Sequence, residues 1–530
     1  MIDVVATPIH MSAMESASPV SVLAGENLRR QQSATLGDSI EKVVGVHTNF
    51  HAKVASTPII RGLSGPRVLI AQNGLDVSDV SRVGPDHSVA SEASTAEQIE
   101  ILRGPATLFY GSGAVGGVVN VVDERVPKNN ITRGEWLLET NSVDDQKLAS
   151  FNLTTGIESF AFYADGYVRE SNDYEVPVAP ELAHDEHHES TSHVVENSAE
   201  KSNGFTLGSS YLFEQGYLGI AVENFNREYG IPGHSHGGSH DEHGEYHEED
   251  NDETGNHEAE EHETHNEEVN VFADLEQTRV QLQGEFNIEN DWLSKIDLRA
   301  GYTDYEHVEV EEGAIGTIFE NTTNELRLDL LHNSFYDWNG AVSFHYKNSD
   351  VKAAGEEAFT PPSQTSTLAL AIMEEKHFGD ILVQLGARLE YVTLKADHIL
   401  VPEVAFHHHD ENHEDNHNDE HDDDHEEENL TEHHGDETNR VDHNFTPMSL
   451  SAGIVWDVSK GYNIGVAISR SERAPSASEL ISFGPHIGTG TYEIGAMYSL
   501  HQENGENHIE LSEQGIKLET ANNIDLTFRK

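Results

Sequence analysis

From about Trp136 onward, apolar and polar residues alternate one by one through stretch after stretch of the chain. Ile381, Val383, Leu385, Ala387, Leu389 and Tyr391 fall on one face of an extended segment, with Gln384, Gly386, Arg388 and Glu390 on the other. Leu326, Leu328 and Leu330 alternate in the same way with Glu325, Arg327 and Asp329, as do Tyr462, Ile464, Val466 and Ile468 with Asn463, Gly465, Ala467 and Ser469. A period of two is that of a β-strand, and roughly 15 or 16 such strands can be placed. No run of 18 apolar residues exists, so no helix can span a bilayer, but strands cross membranes on alternation alone. Apolar faces turned to lipid around a wet, polar interior are the pattern of a transmembrane β-barrel. A soluble β-sandwich would alternate too; the number of strands disfavours it.

Ahead of these strands lies a stretch of different character, residues 98–123. Ile99 and Ile101 begin an alternating strand, Gly111, Gly113, Gly116 and Gly117 form a Gly-rich turn, and the β-branched run from Val118 to Val122 reads as a second strand. The glycines match a dinucleotide-binding fingerprint literally, but that motif requires a helix after the last glycine, and none opens here. Two strands folded back through closely approaching glycines predict a compact core element. A helix is expected over 35–43, where Leu36, Ile40 and Val43 share a face.

Together with Ile60-Arg61-Gly62-Leu63, Pro66-Arg67-Val68 and Gln72-Asn73-Gly74, the run Ile99-Glu100-Ile101-Leu102-Arg103-Gly104-Pro105 through Gly117-Val118-Val119-Asn120 resembles the plug-domain signature of TonB-dependent outer-membrane receptors. The resemblance implies a mainly β protein in which an N-terminal plug sits inside a large antiparallel transmembrane β-barrel. It divides the chain into an N-terminal segment (1–18), a plug (19–125) and barrel strands (126–530). Ile2, Asp3, Val4, Val5, Ala6, Thr7 and Pro8 resemble the TonB box of that family. This implies pairing of an extended segment with a periplasmic TonB-type energising protein, through main-chain hydrogen bonds. Large plugged transporters close at about 22 strands, and the chain ends at Thr527-Phe528-Arg529-Lys530 without the family's closing aromatic. The barrel is therefore expected to be truncated at its C-terminus. No secretory signal is visible, because the apolar run at 2–8 is too short and lacks a charged start.

Charge narrows the partners. Ninety-five acidic against 31 basic residues give a net charge of −64, which argues against nucleic acid and for cations. With no cysteine, any metal site must use His, Asp and Glu. Three low-complexity segments, near 184–193, 234–265 and 407–443, hold 22 of the 34 histidines. Lying between strands, they are expected to be extracellular loops that capture metal through residues such as His234, His236, His240, His243, His407, His408 and His409. Imidazole with carboxylate suits zinc, nickel or copper(II) better than magnesium or calcium, and affinity order alone favours copper.

Further motifs resemble the zinc-uptake subgroup of these receptors. They are Tyr229-Gly230-Ile231-Pro232-Gly233-His234, Gly355-Glu356-Glu357-Ala358-Phe359, Ser471-Glu472-Arg473-Ala474-Pro475 with Ser478-Glu479-Leu480, and Gly484-Pro485-His486. That likeness implies a discrete zinc site from Asp86 and His87 of the plug with His486 and Glu356 of the barrel. Two imidazoles and carboxylates suffice for four-coordinate zinc. Glu309, beside His307, rivals Glu356 on local spacing.

Zinc is thus the expected cargo, with no organic cofactor, outer-membrane lipid as surroundings and a monomer as the assembly. Alternatives are haem or a metal chelate as cargo, or a surface metal-binding protein that transports nothing. No catalytic reading competes: the HExxH run at His413-Glu414-Asp415-Asn416-His417 lies in an acidic tract, whereas that motif functions on a helix.

Overall fold

The computed structural model describes residues 3–4, 9, 11–12, 14–51, 53–103, 107–179, 193–232, 270–399, 439–486, 489–503, 506–512 and 515–530. The loop histidines His234, His236, His240, His243, His407, His408 and His409 lie outside these, as do Ile2, Val5, Ala6, Thr7, Pro8 and the HExxH run.

One antiparallel sheet of 15 strands, from Arg133–Thr140 to Glu519–Arg529, makes up most of the chain. Nearly every strand pairs with the next in sequence, as a meander requires. Asn439–Phe445 and Met448–Ser459 both pair with Ile381–Ile399 and share one position in the sheet. Pro447 separates them, because proline cannot donate to the ladder. Strands reach 19 residues, well beyond the ~9–11 that cross a bilayer core. At one end they are joined by short turns at 157–160, 213–216, 378–381 and 459–462; the three His-rich segments all join strands at the other end.

Burial follows the period of two with the sense reversed relative to a soluble sheet. On Ile381–Ile399 the apolar Leu385, Leu389 and Tyr391 are 44%, 56% and 50% exposed, while Arg388 and Glu390 are buried. Arg279, Arg327 and Asp329 are likewise buried, and Val466 and Ile468 exposed. An outer apolar face costs little only in lipid. The expectation of a barrel with a polar inner wall is met, and the enclosed unit pairs with several of the wall's charges.

The enclosed unit is a five-stranded mixed sheet ordered Val20–Ala24, Gln98–Arg103, Gly117–Val122, Val68–Gln72, Leu75–Asp76. Gln98–Arg103 and Gly117–Val122 pair antiparallel, linked through the short helix Thr107–Tyr110 and the 3-10 turn Ser112–Ala114. No helix follows Gly117, which removes the nucleotide fingerprint's requirement. Gly117 has φ +152, and any Cβ there would collide with the Leu102 carbonyl and with Ile60, so only glycine lets the second strand begin so close to the first. The expected helix is shorter than its pattern: Leu36–Ile40 is capped by Thr35, which accepts from the Asp38 amide, and closes when the Val43 amide bonds to the Ile40 carbonyl.

Buried ion pairs tie the plug to the wall. Arg169 on the wall donates to Glu92 of the plug at 2.9 and 3.1 Å. Plug residue Arg125 holds Asp123 at 2.6 Å and wall residue Glu223 at 2.7 Å. At the N-terminus, Asp3–Val4 pairs with Met11–Ser12, and Val4 is buried in an apolar cluster with Leu102, Leu108 and Met373. The TonB-box-like segment thus starts against the plug–wall seam.

Candidate metal centre

Residues 84–88 of the plug turn sharply at Pro85, and this bend lets Asp86 and His87, adjacent in sequence, face one region. The wall holds the turn in place. The Tyr229 hydroxyl accepts from the Ser88 amide at 3.1 Å and donates to the Asp86 carbonyl at 3.3 Å, and Arg227 donates to the Ser88 hydroxyl at 2.9 Å. Tyr229 belongs to the Tyr-Gly-Ile-Pro motif immediately before the second His-rich segment.

His486 reaches the same place from nearly 400 residues away. Helix Ala477–Ile481 carries a capping box between Ser476 and Glu479, and Arg473 grips Glu479 through two bonds of 2.6 and 2.7 Å. Glu519 accepts from Arg473 and from Arg67 of the plug, which fixes the helix against both units. The strand Phe483–His486 follows the helix directly and delivers the imidazole, whose Nε2 lies 3.1 and 3.3 Å from the Asp86 carboxylate oxygens.

Three wall residues complete the cluster. His307 and Glu309 stand two apart on Leu293–Glu311 and so point inward together, with Nε2 and Oε1 3.8 Å apart. Glu357 follows the strand Asn339–Gly355; its amide bonds to the Thr317 hydroxyl, and Thr317 is the cross-strand partner of Glu309. Among the described residues the donors sort into three groups whose ligand atoms lie within 4.8 Å of one another. These are Asp86, His87 and His486; His87, His307 and Glu309; and Asp86, Glu309 and Glu357. All six side chains are at most 5% exposed. The structure therefore brings Asp86, His87 and His486 together, but it leaves Glu356 exposed and turns its neighbour Glu357 inward. The chain bends after Gly355, at φ +129, and a shift of one residue decides which carboxylate faces in. Glu309 and His307, visible in sequence only as neighbours with an i, i+2 spacing, lie within the cluster.

The electrostatics suit a cation. Neither nitrogen of His87 or of His307 has a hydrogen-bond partner among the described residues, though both rings are fully buried. An orphaned buried imidazole is costly unless another ligand occupies its lone pair. Burial also pushes the His87 pKa below its ordinary value, against the pull of the Asp86 carboxylate. Burial works against the ionised Asp86 carboxyl, but the His87 and His486 imidazoles outweigh it and hold the group below the ordinary carboxylate range. Three carboxylates so close together repel one another unless a cation or a proton lies between them.

For His486 burial lowers the pKa, yet the hydrogen bond and charge of Asp86 outweigh this and raise it above the ordinary imidazole value. A metal bound there would have to displace that proton, so affinity is expected to fall as pH drops through this raised value, by about tenfold per unit for each proton displaced. Calorimetry at several pH values, with buffers of different ionisation enthalpy, reads both the slope and the proton count.

Gly84 explains how close the groups come: a Cβ there would lie 2.5 Å from Asp86 Oδ1 and 2.5 and 2.8 Å from His486 Cε1 and Nε2. Gly84→Ala is expected to push the carboxylate and imidazole apart and weaken metal binding by roughly 10-fold or more with the fold retained. A metal titration beside a circular-dichroism melt checks this.

Comparison with known proteins agrees with the architecture. A family model described as the TonB-dependent receptor plug domain matches residues 12–118, and one described as a TonB-dependent receptor-like β-barrel matches residues 223–529. Among curated proteins, a hemin receptor of Yersinia pestis is 29% identical over 187 residues, covering 33% of this chain and 27% of the relative. The vitamin B12 transporter BtuB of Vibrio vulnificus is 26% identical over 246 residues, covering 43% and 39%. The aligned region thus spans well under half the length of these curated relatives. Among solved structures, the copper transporter OprC superposes with TM-score 0.63 at 13% identity over 87% of this chain and 64% of that one. The Serratia marcescens hemophore receptor HasR gives 0.60 at 12% over 89% and 66%. At such identities the likeness concerns the fold.

Proposed function

This chain belongs to the TonB-dependent receptor family, an outer-membrane plug and barrel, and from that premise we propose that it works with a periplasmic TonB-type energiser and that its cargo is a divalent transition-metal ion, zinc foremost. One observation carries the reading: three imidazoles and three carboxylates, all buried, converge where plug meets wall, and two of the imidazoles have no hydrogen-bond partner among the described residues. Nitrogen and oxygen donors without a thiolate suit zinc and copper(II) and disfavour copper(I). The His-rich segments raise the local concentration of the ion at the rim, and the buried cluster takes it from them.

The ligands belong to two bodies. Asp86 and His87 move with the plug; His307, Glu309, Glu357 and His486 stay with the barrel chain. Force on the plug through residues 2–8 separates the two halves of the set, and an ion with half its ligands is released inward. The receptor acts as a monomer in this scheme, because all its ligands come from one chain. It transports rather than transforms its cargo.

Haem or a metal chelate is the second reading, favoured by the printed function of the Yersinia pestis relative, a hemin receptor. Against it, His486 is 1% exposed and His87 and His307 are fully buried, so this cluster offers no open ring to a haem face. The test is cellular uptake through the full chain of zinc, copper(II) and haem, each at limiting concentration, with a Soret titration of the purified protein. Zinc uptake without a Soret shift supports the proposal; haem uptake with a shift lost in His486→Ala would replace it.

A further inference from the structure

The cluster contains more donors than one ion can use. Tetrahedral zinc takes four, whereas six side chains converge. Nor are all six near one point. His486 groups with Asp86 and His87, and His307 groups with His87 and Glu309; among the described residues His486 and His307 share no group. Ligands of one zinc ion at about 2.1 Å lie within about 4 Å of each other, so no single position takes in both of these imidazoles.

The donors can instead be assigned to two sets, with His87, which groups with both His486 and His307, placed on the His307 side. One is Asp86 with His486, in contact at 3.1 and 3.3 Å. The other is His87, His307 and Glu309, with the His87 and His307 rings 5.0 Å apart at 78° and all four of their nitrogens lacking a hydrogen-bond partner. Asp86, Glu309 and Glu357 form the third group, which joins one carboxylate of each set to Glu357. A carboxylate has two oxygens and bridges a pair of ions, as in two-metal sites with ions about 3.5–4 Å apart.

Resting on the metal reading above, we propose that the plug–wall cluster holds two divalent cations side by side, an outer one on Asp86 and His486 and an inner one on His87, His307 and Glu309, bridged by carboxylate. The outer position faces the rim: Glu493, 44% exposed at its side chain, lies 3.5 Å from His486 Nδ1. The inner position faces inward. Phe319 packs against the rings of both His87 and His307 and also lines a cavity between plug and wall that continues to Asp79 and Asp76. Two adjoining positions solve a problem of transport, because a single tight site releases its ion slowly, whereas a second cation arriving a few ångströms away repels the first. Entry at His486 thereby promotes exit past His307.

The probe is cobalt(II) on the full chain in detergent, washed with a weak chelator to strip the exposed His-rich segments. Ions retained per chain and the cobalt paramagnetic spectrum are recorded for wild type, for Glu309→Gln, for His307→Gln, for His486→Gln, and for all four of Asp86→Asn, His87→Gln, His307→Gln and His486→Gln together. Wild type is expected to retain two more ions than the quadruple variant and to show spin coupling between them. His307→Gln and His486→Gln are each expected to lose one ion and the coupling. The near-isosteric Glu309→Gln should lose the coupling even if a histidine variant fails to fold. A difference of one ion between wild type and quadruple variant, without coupling, overturns the two-ion arrangement and leaves the cargo reading standing. No difference at all overturns both.

Discussion

Asp86→Ala and His486→Ala are each expected to weaken zinc binding at the buried cluster by about 100-fold, and zinc uptake should fall with it. Structural zinc sites bind with roughly 12 kcal/mol shared among four ligands, so one ligand is worth about 3 kcal/mol, or roughly two decades of affinity. Removing Asp86 has a further effect. Its carboxylate is the hydrogen-bond partner of His486 Nε2 and lies 3.7 Å from His87 Nε2, so its loss takes a carboxylate from beside two buried imidazoles at once. Glu357→Gln and Glu356→Gln make the internal comparison. The first alters a fully buried carboxylate within the donor group and should weaken binding; the second alters an exposed one and should not. Calorimetric titration of each variant against wild type gives the affinities. Equal affinity in wild type and Asp86→Ala would remove the cluster from the transport scheme.

Deleting residues 2–8 is expected to reduce zinc uptake to the background of cells without the receptor while leaving zinc affinity within about twofold of wild type. In the proposed scheme the segment would supply main-chain groups for strand pairing with the energising protein, and such pairing depends on an extended backbone more than on particular side chains. Val4 is 2% exposed beside Leu102, Leu108 and Met373, some distance in the chain from every metal donor, so its removal should not disturb the cluster. Uptake assays in cells and titration of the purified variant separate the two effects. Uptake that persists in the deletion would mean that the ion leaves without force on the plug.

Local pattern carried a great deal. A period of two repeated from Trp136 onward allows only strands, and charged residues on one side with Leu, Ile and Tyr on the other allow only a sheet with one wet and one apolar surroundings. The Gly-rich run around Gly117 is legible for the same reason: backbone approach this close excludes a Cβ whatever surrounds it. The two-residue spacing of His307 and Glu309 showed that they share a face, though not which residues that face would meet.

The β architecture, the Gly-rich strand pair and the absence of any thiolate from a metal site therefore follow from covalent geometry or residue chemistry within a few positions. The meeting of the candidate donors is instead a property of the folded chain. Asp86 and His486 stand 400 residues apart, Glu357 rather than Glu356 turns inward after the bend at Gly355, and His307 joins His87 through the docking of plug against wall. These are matters of sheet register and of packing between two bodies, set by the summed contacts of the whole interface, and no short stretch of chain encodes them.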